Sequence, residues 1–452
     1  MTSPVILPLW LFVLILCFAA ITFASHFLFP SVRWFLRRRM ERAVDQLNRR
    51  LERPIEPFKL LRRYDLIQRL VYDPQVTEAI VEHAERNHVR EDVAFERARK
   101  YAREIVPSFS AFTYFGWGVR LARFLSKSLY RVRLGYHDEE ALSQLDAEAT
   151  IVFVMNHRSN MDYVLVTHLA ADRSALSYAV GEWAQVWPLS RLIRAMGAYF
   201  IRRRSNGGLY RKVLRRYVQM ATKGGVTQAI FPEGGLSLDG SVKRPKVGLL
   251  SYITEDLDLA EQNVVFVPVA LNYDRVLEDQ VLTAAAKAGT RRFNAKITHV
   301  SLATLKLIWL KLIGRYHRFG YAAVSFGKPV SLRDMPEMLE APEELAEMLM
   351  RRIAEIIPVL PVPLVSHLLL EQSLSEANLQ ARFNAAQSEL QHAHIHLPHQ
   401  DLTYAMQYGL ERLTKRGLVE SQSGVLKITE DGRALVEYYA NSIKHLFPDK
   451  PQ

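Results

Sequence analysis

The chain has 452 residues, 49% of them hydrophobic, with a formal charge of +12 at pH 7 and a pI of about 9.6. That length admits more than one domain and a sizeable core. A single cysteine, Cys17, excludes an intramolecular disulfide and any cysteine-based metal site. The basic balance suits an anionic partner: nucleic acid, a membrane surface or a phosphorylated substrate.

From Val5 to Phe29 there is no Asp, Glu, Lys or Arg. As a helix such a run spans about 37 Å, enough to cross a bilayer with some tilt. Arg33, Arg37, Arg38, Arg39 and Arg42 follow, and Ser31 to Leu70 holds twelve Lys/Arg against five Asp/Glu. By the positive-inside tendency this end faces the cytoplasm. A cleaved signal peptide wants basic residues ahead of its apolar run, and Met1 to Pro4 has none. Residues 1–30 are therefore expected to be a transmembrane anchor and residues 31–104 a basic helical region. Glu78 to Arg86 reads as a solvated amphipathic piece of that region.

Pro107 to Tyr136 is rich in aromatics (Phe109, Phe112, Tyr114, Phe115, Trp117, Phe124) interleaved with Arg120, Arg123, Lys127, Arg131 and Arg133. Two readings stand: an ordinary core helix, or a helix in the headgroup region, where aromatic and cationic residues are favoured. Leu302 to Ile313, with Trp309 between Lys306 and Lys311, raises the same pair. From Ile151 the texture alternates. Strands are expected at 151–155, 226–231, 264–271 and 322–326, and helices at 161–171, 186–196 and 209–222. Lys223-Gly224-Gly225 punctuates a helix end before a strand. The expected class is α/β, with a mixed, largely parallel sheet flanked by helices over residues 105–335. Residues 336–452 read as mostly helical, with a hairpin at 417–429 of winged-helix shape. That hairpin carries few basic residues, so no nucleic-acid partner is expected.

Four blocks carry chemistry. The first, Asn156 to Tyr163, follows an apolar run and sets His157 and Asp162 five positions apart. On a continuous helix those side chains would point about 140° apart, so they meet only if the chain turns between them. A turn at 156–160 with a helix from Met161 places His157 at a strand's carboxyl end, where α/β sheets usually build their sites. Histidine suits proton transfer near neutrality, and a carboxylate can fix its tautomer. The second block, Gly197 to Arg204, is a glycine, an apolar strand-like run (Ala198 to Ile201) and then three arginines, whose forks bind phosphate. The third, Phe231-Pro232-Glu233-Gly234-Gly235, leads to Lys243, Arg244 and Lys246. A glycine-rich turn brings backbone N–H groups close to an anionic oxygen. The fourth, Val267 to Tyr273, is an apolar strand with a proline, either buried or at an edge.

In this order and spacing the blocks resemble the glycerolipid acyltransferases. Asn-His-x-x-x-x-Asp followed by Phe-Pro-Glu-Gly is the broad mark of that superfamily. His157-Arg158-Ser159, Met161-Asp162-Tyr163, Gly197 to Arg203, Leu209-Tyr210, Pro245-Lys246, Gly248-Leu249-Leu250, Phe326 to Val330, and Glu437 to Ile443 with His445 point to the membrane-bound bacterial glycerol-3-phosphate acyltransferases. The resemblance covers roughly residues 100 to 452. It implies acyl transfer from acyl-CoA or acyl carrier protein to the sn-1 hydroxyl of glycerol 3-phosphate, with His157 as general base and Asp162 orienting it. It also implies substrate binding by Arg158, Arg202, Arg203, Glu233, Gly234, Gly235 and Lys246. No cofactor and no metal are implied. The expected place is the bacterial inner membrane, single-pass, with membrane lipid as a partner and the catalytic domain on the cytoplasmic side. The chain is further expected to lack the long N-terminal extension of the larger bacterial members.

One departure stands out. Where the family usually places two arginines around the third-block serine, this chain has Leu236 and Leu238. Acceptor identity is therefore open between glycerol 3-phosphate, its 1-acyl product and dihydroxyacetone phosphate, and a non-catalytic lipid-phosphate-binding protein is a further reading. Two other classes compete. Gly235-Leu236-Ser237-Leu238-Asp239 falls one glycine short of a serine-hydrolase elbow. His392, His394, His396 and His399 alternate as zinc ligands can, with no Cys or acidic residue inside the run.

Overall fold

The computed structural model describes residues 8–23, 29–137, 139–146, 148–170, 174–181, 185, 187, 189–202, 207–289, 318–390, 393–395 and 401–447. Leu302–Ile313, Arg203 and three of the four alternating histidines thus lie outside the described residues. The chain divides into two units: Met1–Ile55 with Asp172–Ser174, and Glu56–Ala171 with Ala175–Gln452.

In the first unit the described helices are Leu9–Phe23 and Phe29–Asn48. Leu9–Phe23 has 15 residues, none charged and none buried. It rises only about 22 Å, short of the roughly 30 Å of a hydrocarbon core. Among the described residues no helix is long and apolar enough to cross a membrane. The expected span over residues 1–30 is therefore not met by a described helix.

The second unit is built on eight described strands: β1 (Arg131–His137), β2 (Thr150–Met155), β3 (Ser177–Gly181), β4 (Tyr199–Ile201), β5 (Gln228–Ile230), β6 (Val264–Tyr273), β7 (Tyr321–Phe326) and β8 (Val330–Ser331). They lie in the order β1-β7-β6-β2-β5-β3-β4, with β8 also on β6. The pairs β1–β7, β6–β2, β2–β5, β5–β3 and β3–β4 are parallel, whereas β7 and β8 run antiparallel to β6. The sheet is thus mixed and largely parallel. β2 and β6 are buried along their whole length, which explains why they read as unbroken apolar runs.

Pro268 sits inside β6, at the sheet centre rather than at an edge. On one side of β6 the partner changes from β8 at Val265 and Phe266 to β7 from Val269 onward. The missing N–H of Pro268 falls in that gap, so no ladder bond is lost.

The helices Met161–Leu169 and Gly208–Lys223 follow the expected boundaries within two residues. Leu189–Ala195 is shorter than the expected 186–196. Pro107–Tyr136 is not one helix. A π-helical turn, Phe112–Gly118, leads into the Val119–Leu129 helix, and then β1 begins. The Pro74–Arg86 helix buries Val76, Ala79, Ile80 and Ala84, the apolar face of the segment read as solvated and amphipathic.

Beyond the sheet come the helices Pro342–Glu355, Pro361–Glu371, Glu376–Glu389, Leu402–Lys415 and Arg433–Ala440. The expected hairpin is present as β10 (Val419–Gln422) against β11 (Val425–Ile428), with β9 (Leu374–Ser375) as a third strand. Ser423 and Gly424 both have positive φ, 52° and 76°, the two-residue turn that matches strand twist.

Candidate active site

β2 ends at Met155, and Asn156 extends its ladder with a side chain. Asn156 Nδ2 donates to the Leu271 carbonyl (3.0 Å) and Oδ1 accepts from the Leu271 amide (2.8 Å). This fixes the point where the chain leaves the sheet. Ser159 Oγ then accepts from the Met161 amide (3.1 Å) and helps start the Met161–Leu169 helix. Asp162 in its first turn faces back toward the loop.

The turn brings His157 and Asp162 together. His157 Nδ1 lies 2.9 Å from Asp162 Oδ2. A carboxylate only accepts, so Nδ1–H donates and Nε2 keeps its lone pair. Asp162 Oδ2 also accepts from the amides of Arg158 (2.7 Å) and Ser159 (3.0 Å), while Oδ1 accepts from the Tyr273 hydroxyl (2.6 Å). Four donors hold this fully buried carboxylate in one orientation. The His157 ring is 2% exposed and stacks on Phe231 at 4.1 Å. A hydroxyl that meets Nε2 therefore does so with little bulk water present.

Three supports were not singled out by sequence. Tyr273 ends β6, the fourth block, and was read only as strand. Glu278, just beyond it, accepts from Ser159 Oγ (2.7 Å), Asn160 Nδ2 (3.0 Å) and the Asn160 amide (3.3 Å). Burial raises its carboxyl above the ordinary range, against those hydrogen bonds. Asp274 accepts from the amides of Tyr321 (2.8 Å) and Val362 (3.0 Å), and burial pushes it up to about 7. The signal for all three was their place at the carboxyl end of a buried strand.

Glu233 bonds the dyad's backbone: its Oε1 accepts from the His157 amide at 2.9 Å. Burial pushes its carboxyl up to about 7, opposed by the His157 amide, the Arg158 charge and the Lys243 amide. Gly234 has φ +66°, and a Cβ there would stand 2.7 Å from Lys246 Cδ, so the exposed Lys246 lies across this turn. The Gly234 amide donates to the Phe231 carbonyl (3.0 Å), whereas the Gly235 amide has no acceptor among the described residues. Leu236 and Leu238 are half-buried and pack on the main core. The Ser237 hydroxyl donates to the Ser241 carbonyl at 2.7 Å. Ser237 is buried in this loop, outside any strand-to-helix elbow, which removes the geometric basis of a serine-hydrolase reading.

The predicted cations are placed differently from one another. Arg158 is buried, donates to the Gly240 carbonyl and lies 5.2 Å from the Tyr438 ring. Its Nε and Nη2 have no partner among the described residues. Arg202 is bound to Glu104, Nε to Oε1 at 2.8 Å and Nη2 to Oε2, between the rings of Tyr101 and Tyr210. Burial works to raise Glu104, but hydrogen bonds from Arg202 and Gln185 outweigh it and hold the carboxyl below its usual range. The Arg433–Ala440 helix closes the site from outside. Gly240, φ +84°, packs so tightly that a Cβ would stand 1.8 Å from the Tyr438 carbonyl oxygen, and Asn441 Nδ2 donates to the Asp239 carbonyl (2.9 Å). Of the alternating histidines only His394 is described, and among the described residues no three metal-ligating side chains cluster.

Residues 133–272 match the family described as Acyltransferase, and residues 309–450 match the family described as Glycerol-3-phosphate acyltransferase C-terminal region. Curated relatives named glycerol-3-phosphate acyltransferase include one from Aeromonas hydrophila, 29% identical over 86% of this chain and 50% of its own length. One from Pseudomonas syringae is 26% identical over 85% and 48%, and one from Ectopseudomonas mendocina 27% over 85% and 49%. The chain spans about half the length of the curated relatives it matches. Among solved structures, the 1-acyl-sn-glycerophosphate acyltransferase of Thermotoga maritima is similar at 17% identity and a TM-score of 0.31, over 53% of this chain and 77% of that one.

Proposed function

We propose that this chain, which matches the Acyltransferase family over residues 133–272 and the Glycerol-3-phosphate acyltransferase C-terminal region over residues 309–450, is a glycerol-3-phosphate acyltransferase that transfers an acyl group from a thioester to the sn-1 hydroxyl of glycerol 3-phosphate. The observation that carries the reading is the dyad: His157 Nδ1 is held 2.9 Å from a carboxylate that four donors fix in place. Nε2 takes the proton from the acceptor hydroxyl as its oxygen attacks the thioester carbonyl. The tetrahedral intermediate collapses with loss of the thiolate, which recovers the proton from the imidazolium. No covalent enzyme intermediate is needed. Asp162 holds the tautomer and stabilises the imidazolium. The Gly235 amide is the proposed donor to the developing oxyanion, because the neighbouring Gly234 amide already bonds Phe231.

For the acceptor phosphate, the motif cations Arg158, Arg203 and Lys246 are proposed; Arg202 would have to exchange Glu104 for it. The donor is acyl-CoA or acyl carrier protein, both anionic carriers that suit the net charge of +12. A second reading, acylation of 1-acylglycerol 3-phosphate, draws support from Leu236 and Leu238, which put apolar surface where the family carries arginines.

The proposed setting is the inner membrane, with one N-terminal anchor and the catalytic unit on the cytoplasmic side. Support comes from the uncharged run Val5 to Phe29 and the arginines after it. Phe112, Trp117 and Phe124 add to it, being exposed and interleaved with exposed Arg120 and Arg123. Protein reconstituted in phosphatidylglycerol-containing vesicles tests the whole reading, with free thiol followed for each donor and acceptor. Acceptor-dependent thiol release with glycerol 3-phosphate supports it, and release only with the 1-acyl acceptor selects the second reading.

A further inference from the structure

A groove of about 720 Å³ lies on the second unit. Its walls are the chain from Ser241 to Pro245, the Pro342–Glu355 helix, and the segment that follows the Arg433–Ala440 helix. Four cations line it, Lys243, Arg244, Arg351 and Lys444, against one carboxylate, Glu347. Lys243 is paired with Asp239. Arg244, Arg351 and Lys444 are exposed and have no hydrogen-bond or ion-pair partner among the described residues. Like charges gathered in one groove repel, and an anion bound there would relieve them.

The groove is tied to the catalytic turn. Ser241 follows Gly240, whose carbonyl accepts from Arg158, and the Ser237 amide donates to the His157 carbonyl at 2.9 Å. His445, a further wall, donates from Nε2 to the Ala354 carbonyl at 2.9 Å. Burial holds its imidazole below the ordinary value, the Ala354 bond opposes this, and the nearby Arg158 charge adds to it. The volume is that of a small-molecule site. Three exposed cations without a partner among the described residues, in a groove of that size one loop from the catalytic turn, match a phosphate ligand.

We propose that this groove is a phosphate subsite, in which Arg244, Arg351 and Lys444 hold the phosphate of a substrate of the acyl transfer. The phosphate is either that of a CoA carrier or the monoester of the glycerol phosphate acceptor; in the second case these three cations replace Arg158, Arg203 and Lys246 as its holders. The identity of those two ligands rests on the acyl-transfer reading; the anion-binding chemistry does not. Guanidinium forks take phosphate oxygens in pairs, with Lys444 adding a point charge.

Titration calorimetry on the full chain in detergent tests it, with glycerol 3-phosphate in one arm and CoA in the other. The proteins are wild type, Arg351→Gln, the Arg351→Gln/Lys444→Gln double variant, and Arg351→Lys, which keeps the charge; thermal melting checks that each is folded. Each lost cation is expected to weaken one of the two ligands by about tenfold, with Arg351→Lys recovering part of the loss, and the arm that responds names the source. Unchanged Kd for both ligands in the folded double variant overturns the subsite, as does failure of both to bind wild type. Binding is read without turnover, so a groove that binds phosphate in a protein without acyl transfer contradicts the proposed function alone. Normal turnover with unaltered Kd values contradicts the groove alone.

Discussion

His157 does its proposed work through a neighbour that is itself held by four donors, so the dyad is sensitive to groups that touch no substrate. Asp162→Ala removes the acceptor for Nδ1–H and releases the tautomer; kcat is expected to fall by about 10²–10⁴ with the fold intact by circular dichroism. Glu278 acts one step further out, on Ser159 and Asn160. Glu278→Ala leaves the buried Ser159 hydroxyl and the half-buried Asn160 donors without their acceptor and is expected to cost about 1–3 kcal/mol in urea denaturation, and to lower kcat while leaving the acceptor KM unchanged. A loss of stability with normal kcat would confine Glu278 to a structural role. Glu233 offers a pH test. Its carboxyl is raised from 4.5 to about 7 by burial, so the folded state binds a proton that the unfolded state has released between those values. Its contribution to stability is fully present below about 4.5 and is lost as pH rises through about 7. Glu233→Gln keeps an acceptor for the His157 amide and removes this titration. The difference in stability between variant and wild type is expected to shift in the variant's favour from pH 4.5 to 7.5, and a pH-independent difference would contradict the assignment.

The elements that carry the site meet at backbone distance. Gly240 has no room for a Cβ beneath the Tyr438 carbonyl, and its φ of +84° disfavours any other residue. Gly240→Ala is therefore expected to push the Arg433–Ala440 helix off the third-block loop, to destabilise the protein by about 2 kcal/mol or more, and to lower activity through Arg158, whose guanidinium donates to the Gly240 carbonyl. How much of this was legible depends on whether the cause is local. The apolar runs that became β2 and β6 were readable because strands buried on both faces have no polar alternation. The turn from Asn156 to Asn160 was readable because two side chains five apart require one. β1 was not, since its Arg131-Val132-Arg133-Leu134 alternation is short and follows directly on a helix rich in the same residue types. Pro268 left a buried and an edge strand equally open until the partner change along β6 settled it as buried. Tyr273, Glu278, Tyr438 and Gly240 reach the site from more than 75 positions away from His157, and no local spacing reports such contacts.

At the scale of the molecule, a sheet with central strands β6 and β2 delivers His157 at one strand end and Tyr273 at the next, and the C-terminal helices cover that end. The site is an assembly of distant segments, which is why both matched regions, 133–272 and 309–450, contribute to it. The net charge of +12 predicts that turnover on vesicles rises with the fraction of anionic lipid and falls with added salt; activity indifferent to both would contradict a membrane-surface setting. The proposed acyl transfer depends on His157 as the base. Free-thiol release from an acyl thioester, in vesicles with glycerol 3-phosphate, is to be measured for wild type and for a folded His157→Ala protein. The expected result is acceptor-dependent release in wild type and a fall of at least about 10³-fold in the variant; substantial turnover in the folded variant would contradict it.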